Sequence, residues 1–172
     1  MEDYYIRKSL PMDVEDILLL YKKVAGDNGG LARNDTEIDR AYVQGFSQRS
    51  QESGLQLVAV QHEKIIGEMH GYRLVPTVFN HLLSEVTIAI DSACQGQGVG
   101  KAILSAFLQE IRQNRPDIYR VELIARASNV RAIRLYEQLG FCKEGRLEHR
   151  IKTSDGFEAD IPMAWINPNG IL

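Results

Sequence analysis

Apolar and polar residues follow two clear periods in the middle of the chain, between Glu85 and Gln113. Within Val86–Ile90 the residues alternate one by one, which is the pattern of a strand with a buried face. Further on, apolar residues recur at helical spacing, as Val99, Ala102, Ile103, Ala106, Phe107 and Ile111. The stretch therefore predicts a strand, a short turn and a long amphipathic helix.

The same patterns predict six further strands and three further helices. The strands are expected at Tyr4–Ser9, Leu55–Gln61, Lys64–Val75, Tyr119–Ala125, Phe141–Lys152 and Phe157–Ile166. The helices are expected from an N-cap at Asp13 to about Val24, from Asp35 to about Glu52, and from a cap at Ser128 or Asn129 to Leu139, followed by Gly140. Gly26–Gly30 and Pro76–Leu83 are expected to be loops. The order β, α, α, β, β, β, α, β, α, β, β predicts an α/β (α+β) fold with helices on the faces of a mixed sheet.

Composition narrows the class of protein. The chain has 172 residues, 44% of them hydrophobic, which suits one domain over residues 1–172, and it has no apolar stretch long enough to cross a membrane. A net charge of −3 without a basic cluster disfavours a nucleic-acid partner. The first five residues lack the pattern of a secretory signal, and two cysteines are too few for a disulfide framework. We therefore expect a cytoplasmic protein without a bound metal.

The turn between the central strand and its helix is rich in glycine. Gln95–Gly100 places glycines at positions 96, 98 and 100, so its backbone N–H groups can approach a ligand closely. It leads into a helix start, where unpaired N–H groups and the positive end of the helix dipole favour an oxyanion, and Lys101 adds a positive charge. The turn therefore predicts a phosphate site.

Two nucleotide-binding motifs do not fit this turn. A Walker loop has glycine where this chain has Gln95, and Ser or Thr where it has Ala102. The dinucleotide fingerprint G-x-G-x-x-G fails because the third glycine comes one residue early and no βαβ unit surrounds it.

The turn instead resembles the pyrophosphate loop of the GCN5-related N-acetyltransferases, in which Gln or Arg, two residues, Gly, one residue and Gly or Ala follow in order. Gln95, Gly98 and Gly100 fill this pattern. Asn129–Phe141 resembles the family's second signature, N-x-x-A-x-x-x-Y-x-x-x-G-F. The end of the chain is similar to the branch of ribosomal-protein and spermidine acetyltransferases, on the basis of Gly140-Phe141, Glu144-Gly145, Asp155-Gly156 and Met163. Ser92 departs from the family, which often has proline there.

This resemblance implies a mostly antiparallel sheet and direct transfer of an acetyl group from acetyl-CoA, as co-substrate, to a primary amine in a ternary complex. Acetyl-CoA would be held by Ile88, Ala89 and Ile90 on the strand, by Gln95, Gly96, Gln97, Gly98, Val99, Gly100 and Lys101 in the loop, and by Asn129 and Tyr136. A bulge in the central strand is also expected, and a homodimer through Phe157–Ile166 is compatible with the family.

Two side chains are expected to take part in the chemistry. An alkylamine with a pKa of about 10.4 is almost fully protonated at neutral pH, so a base is needed, and Glu85 at the start of the central strand is the first candidate. The resemblance assigns to Tyr136 the protonation of the leaving thiolate.

The acceptor pocket has four candidate residues. Glu68, His70 and Tyr72 share one face of the preceding strand, and His81 lies on the next loop, although a polar strand face more often simply meets solvent. The acceptor could be a ribosomal-protein N-terminus, a polyamine, an amino acid or an aminoglycoside-like amine. The alternative function is a sensor or scaffold that binds acetyl-CoA or CoA without catalysis, which would need neither Tyr136 nor Glu85.

Overall fold

The computed structural model describes residues 4–26, 31 and 33–171, and this part of the chain has eight strands and four α-helices. The strands are β1 (Tyr5–Lys8), β2 (Gly54–Gln61), β3 (Lys64–Tyr72), β4 (Leu82–Ile90), β5 (Arg120–Arg126), β6 (Cys142–Lys143), β7 (Leu147–Thr153) and β8 (Gly156–Ile166). The helices are α1 (Val14–Gly26), α2 (Arg40–Ser53), α3 (Val99–Asn114) and α4 (Val130–Gln138). The predicted fold class, a mixed and mostly antiparallel sheet with about four helices, is confirmed. None of the described helices combines the length and the apolar character that crossing a membrane requires.

By their contacts the residues divide into two compact units, and the first contains the chain up to Arg73 together with Thr87–Glu110. Here β1, β2 and β3 pair antiparallel in sequence order. The Asp91 N–H donates to the carbonyl of Ile66 at 2.9 Å, which joins the end of β4 to β3. The core is formed by apolar faces of α1 and α2 and by residues of the sheet: Ile17, Leu20, Tyr21, Val24, Val43, Phe46, Val58, Val60, Ile65, Tyr72 and Ala89. This unit contains the glycine-rich loop.

The second unit contains Leu74–Val86 and the residues from Ile111 onward. The first residues of β4 pair parallel with β5, Leu82 with Arg120 and Leu83 with Val121. β5 pairs antiparallel with β8, which also pairs with β6 and β7. Its buried side chains include Ile118, Val121, Leu123, Met163 and Trp165. The organisation of residues 1–172 as a single domain stays a prediction.

The side-chain caps of both N-terminal helices differ from the sequence prediction, and so does the start of the second helix. Asp13 does not cap α1 with its side chain; it ends a 3-10 turn, and its carboxylate accepts from the Leu10 N–H at 2.7 Å and from Arg7. The second helix begins at Arg40 rather than Asp35, because Asp39 is the cap and accepts from the Tyr42 N–H at 2.8 Å. The first helix continues to Gly26, and the rest of the predicted break, at 27–30, lies outside the described residues.

Two strand predictions were wrong. β4 begins at Leu82, so Glu85 lies inside the strand rather than at its start. The predicted strand Phe141–Lys152 is two strands, β6 and β7, which pair with different parts of β8. The break has a physical reason, because Pro162 of β8 has no N–H to donate and its ring lies 3.7 Å from the position of a Cβ on Gly145.

Candidate active site

The glycine-rich loop between β4 and α3 has a backbone that only glycine adopts easily. Asp91 starts it, and its side chain accepts from the Ala93 N–H at 2.9 Å to close a 3-10 turn over Ser92–Cys94. Gly96 and Gly98 then have φ angles of 83° and 89°, in the left-handed region. Gly100 lies in the helix without a positive φ. Two of the three glycines are therefore needed for the turn itself.

The two glutamines of the loop turn back onto it. Nε2 of Gln95 donates to the carbonyl of Ile90 at 3.3 Å, and Nε2 of Gln97 donates to the carbonyl of Ala93 at 2.9 Å. These side chains hold the loop against the end of β4, so the part of the loop offered to a ligand is its main chain.

The start of α3 provides the donors for an anion. The Ala102 N–H makes an early helical bond, to the carbonyl of Gly98 at 2.9 Å, so the N–H groups of Val99, Gly100 and Lys101 precede the helical ladder. Lys101 is exposed beside them. Together with the helix dipole, this arrangement favours phosphate oxygens.

Glu85, inside β4, has a φ of 52° and is exposed. A left-handed φ is uncommon inside a strand, so β4 is irregular at Glu85, while the bulge predicted near Ile88 and Ile90 stays a prediction. Further along, Ala89 is fully buried, whereas Ile88 and Ile90 are half-buried. The side chain of Ile90 passes so close to Gly67 that a Cβ there would lie 2.9 Å from Cδ1.

Asn129 and Tyr136 lie on α4, seven residues apart on one face. Oδ1 of Asn129 accepts from the Ala132 N–H at 3.1 Å, so this side chain caps the helix. The Tyr136 ring packs against Phe141 with 5.8 Å between centroids, and burial raises the pKa of its hydroxyl to about 12. Tyr136 is therefore protonated at neutral pH and available as a hydrogen-bond donor.

The structure brings Glu68, His70 and Tyr72 together but buries them, so the solvent-facing interpretation of this strand face was wrong. Glu68 has no exposed surface, His70 is 2% exposed and Tyr72 7% exposed. His81 is elsewhere, on the exposed end of its loop, where its carbonyl accepts from the Tyr119 N–H at 2.7 Å.

Glu68 is the centre of a polar network inside the first unit. It accepts from the Tyr21 hydroxyl at 2.6 Å and from Nε2 of Gln56 at 2.8 Å, and Nδ1 of His70 lies 3.1 Å away. The His70 ring stacks on Phe46 with 4.0 Å between centroids. Neither Tyr21 nor Gln56 was among the predicted site residues. A buried tyrosine hydroxyl needs a partner, which is the signal that could have pointed to this network.

Comparison with known proteins places the chain in a wider group. The family model for the acetyltransferase (GNAT) family matches residues 21–141. The chain is 36% identical over 101 residues to the [ribosomal protein bS18]-alanine N-acetyltransferase of Escherichia coli K12, a match that covers 57% of this chain and 64% of that protein. It thus spans somewhat less than two thirds of the length of this relative.

Solved structures share the fold over nearly the whole chain. A ribosomal-protein-alanine N-acetyltransferase from Brucella melitensis superposes with a TM-score of 0.82 at 21% identity, covering 94% of this chain and 99% of that one. A phosphinothricin acetyltransferase from Sinorhizobium meliloti, solved in complex with AcCoA, superposes with a TM-score of 0.84 at 20% identity, covering 99% and 91%. At these identities the likeness shows a common fold.

Proposed function

The chain belongs to the acetyltransferase (GNAT) family, and from this premise we propose that it is an enzyme that transfers the acetyl group of acetyl-CoA directly to a primary amine. The observation that carries the proposal is the loop Gln95–Gly98, which contains two glycines with left-handed φ angles and ends directly at the N-terminus of α3. The residues fit the cofactor, because a pyrophosphate would accept from the N–H groups at the start of this helix and lie near Lys101.

The rest of acetyl-CoA would extend along the end of β4. The main chain at Ile88–Ile90 can pair with the amides of the pantetheine arm in the manner of an added strand. A backbone N–H near Ile90 would stabilise the oxyanion that forms when the amine attacks the acetyl carbonyl. Asn129 stays a predicted contact of acetyl-CoA, through its amide N–H groups, since its Oδ1 already caps α4.

Two side chains have proposed roles in the chemical step. Glu85 accepts the proton of the acceptor ammonium, directly or through a water, which frees the nitrogen lone pair for attack. The nitrogen–carbon bond then forms and the carbon–sulfur bond breaks, with a hydrogen bond from Tyr136 to the leaving thiolate. The nitrogen loses its second proton to give the amide, and the CoA thiolate takes up that proton to leave as the thiol. With a pKa of about 12, this phenol is a weaker acid than a thiol of pKa about 8.5. Tyr136 therefore contributes mainly by hydrogen bonding to the developing negative charge.

The acceptor that we propose first is the α-amino group of a protein or peptide. The curated relative is named for acetylation of an alanine of ribosomal protein bS18. An α-amine, with a pKa near 8, also needs less help from a base than an alkylamine does. We place two of the described residues nearest the acceptor. His81 directly precedes β4, and Glu85 lies among the first residues of that strand.

The cellular location and the partners of the protein are also proposals. Cys94 and Cys142 are both free thiols, which supports a cytoplasmic location, where thiols stay reduced. Partners such as nucleic acid or a membrane are not expected, and a homodimer through Phe157–Ile166 stays a prediction.

The direct test is release of CoA thiol from acetyl-CoA in the presence of N-terminal peptides, polyamines, amino acids and aminoglycosides. We expect a peptide to respond, with loss of most activity in Tyr136→Phe and Glu85→Gln. If the protein binds acetyl-CoA tightly but no amine in the panel releases thiol, the non-catalytic sensor becomes the better interpretation.

A further inference from the structure

Asp91 joins three elements of the first unit where β4 ends and the loop begins. Its N–H donates to the carbonyl of Ile66 on β3 at 2.9 Å, and its Oδ1 accepts from the Ala93 N–H at 2.9 Å. Nζ of Lys23, on α1, lies 2.7 Å from Oδ1 and 2.9 Å from Oδ2 of the same carboxylate. The first turn of the loop is thus tied to both the sheet and a helix.

A carboxylate at position 91 would repel the phosphates that we propose the loop binds. Asparagine would cap the turn about as well, whereas an aspartate adds a negative charge close to a site for phosphates. Burial works to raise the pKa of Asp91, but the Lys23 ammonium and the Ala93 N–H more than offset it, and the pKa lies below its ordinary value. The carboxylate is therefore ionised at neutral pH, and Lys23 is the cation in contact with it.

Helix α1 is held firmly beside the residue that provides this cation. Tyr21, two residues before Lys23, has no exposed surface and donates to Glu68 at 2.6 Å inside the polar network. Ile17, Leu20 and Val24 of the same helix are buried as well. The main chain from which Lys23 projects is consequently fixed, although about half of the Lys23 side chain is exposed.

We propose that Lys23 is a positioning residue for acetyl-CoA, which neutralises Asp91 and ties the start of the loop to α1. Asp91 can then cap the turn through a charge-assisted hydrogen bond without repelling the pyrophosphate. Lys23 itself does not touch the reacting atoms, so it acts on affinity for acetyl-CoA and not on the chemical step. The inference rests on the proposed function of the loop.

The test compares Lys23→Met, Asp91→Asn, the double variant and Lys8→Met. Lys8→Met is the matched control, because Lys8 also pairs with a carboxylate of the first unit, Glu110, at 2.6 Å. Calorimetry gives the Kd for acetyl-CoA, and steady-state kinetics give KM and kcat. In Lys23→Met we expect Kd and KM to rise about fivefold, as loss of one partly exposed charge pair allows, with kcat unchanged. Asp91→Asn, which keeps the cap, changes Kd less than twofold (about 0.4 kcal/mol or less).

The double variant separates this proposal from a general loss of stability. If Lys23 matters because it neutralises Asp91, adding Asp91→Asn to Lys23→Met brings Kd back to near the Asp91→Asn value. Equal Kd values for Lys23→Met and Lys8→Met, or a double variant no better than Lys23→Met, would overturn the proposal. Failure of the wild type to bind acetyl-CoA is a different result, because it refutes the proposed function of the loop together with this inference.

Discussion

Replacing Tyr21 with phenylalanine removes one hydroxyl from the interior of the first unit and changes little else. The side chain has no exposed surface, and its ring lies 5.2 Å from that of Phe46 between centroids. The hydroxyl donates to Glu68 at 2.6 Å, and Nδ1 of His70 lies 3.3 Å from it. Because the ring stays in place, the variant tests this hydrogen bond without opening a large cavity.

The expected loss follows from the burial of the acceptor. Leaving a buried acceptor without one of its donors costs about 1–3 kcal/mol, and Glu68 has no exposed surface at which solvent could replace the lost donor. We therefore expect a free energy of unfolding lower by about 2 kcal/mol. For a chain of this size, that corresponds to a fall in Tm of about 4–8 °C.

The hydroxyl also gives stability a dependence on alkaline pH. Burial, followed by the charge of Glu68, raises the pKa of Tyr21 well above its ordinary value. A tyrosine in the unfolded chain loses its proton first, at about pH 10, so folding stability falls as the pH rises above that value. In this range the wild type should lose about 1.4 kcal/mol per pH unit more than Tyr21→Phe, which lacks the titrating group.

Urea unfolding at pH 7 and at several values above pH 10 measures both effects. Tyr5→Phe is the control, because Tyr5 is 60% exposed on β1, and it should change stability by less than about 0.5 kcal/mol. A loss in Tyr21→Phe no larger than in the control would refute the reasoning. So would strict additivity with Glu68→Gln, because two residues that share a bond must show a coupling energy.

Three further predictions concern the proposed active site. Gly98→Ala should raise the KM for acetyl-CoA and lower the free energy of unfolding by about 1 kcal/mol, because the φ of Gly98 is 89°. Gly100→Ala is the control and should show a normal thermal melt, because a Cβ at this position would lie 3.7 Å from the nearest atom. Tyr136→Phe should lower kcat about 10²-fold with little change in KM. The variant should also lose less stability than the wild type between pH 10 and 12, because in this range Tyr136 is deprotonated in the unfolded chain but still protonated in the folded protein. Glu85→Gly should stabilise the fold by about 1 kcal/mol in urea, since it relieves a φ of 52°, while kcat falls; unchanged kcat would remove Glu85 from the mechanism.

The sequence by itself determined the features that depend on local chemistry. The periodicity of hydrophobic residues predicted the helices and most strands, since it reflects which face of each element is buried. The left-handed turn at Gly96 and Gly98 and the helix that follows it could be predicted from sequence, because they are properties of neighbouring residues. The anion site that they suggest stays a prediction. Asn129 as the cap of α4 is of the same kind.

Only the tertiary structure decided the features that join residues far apart in the chain. Whether Glu68 meets solvent or Tyr21 depends on how α1 packs on β3, and 47 residues separate the two. The break between β6 and β7 depends on Pro162, which lies on the strand opposite. The contact of Lys23 with Asp91 likewise spans 68 residues. Local pattern contains no information on such pairs, because their energies arise from the desolvation and charge that packing creates.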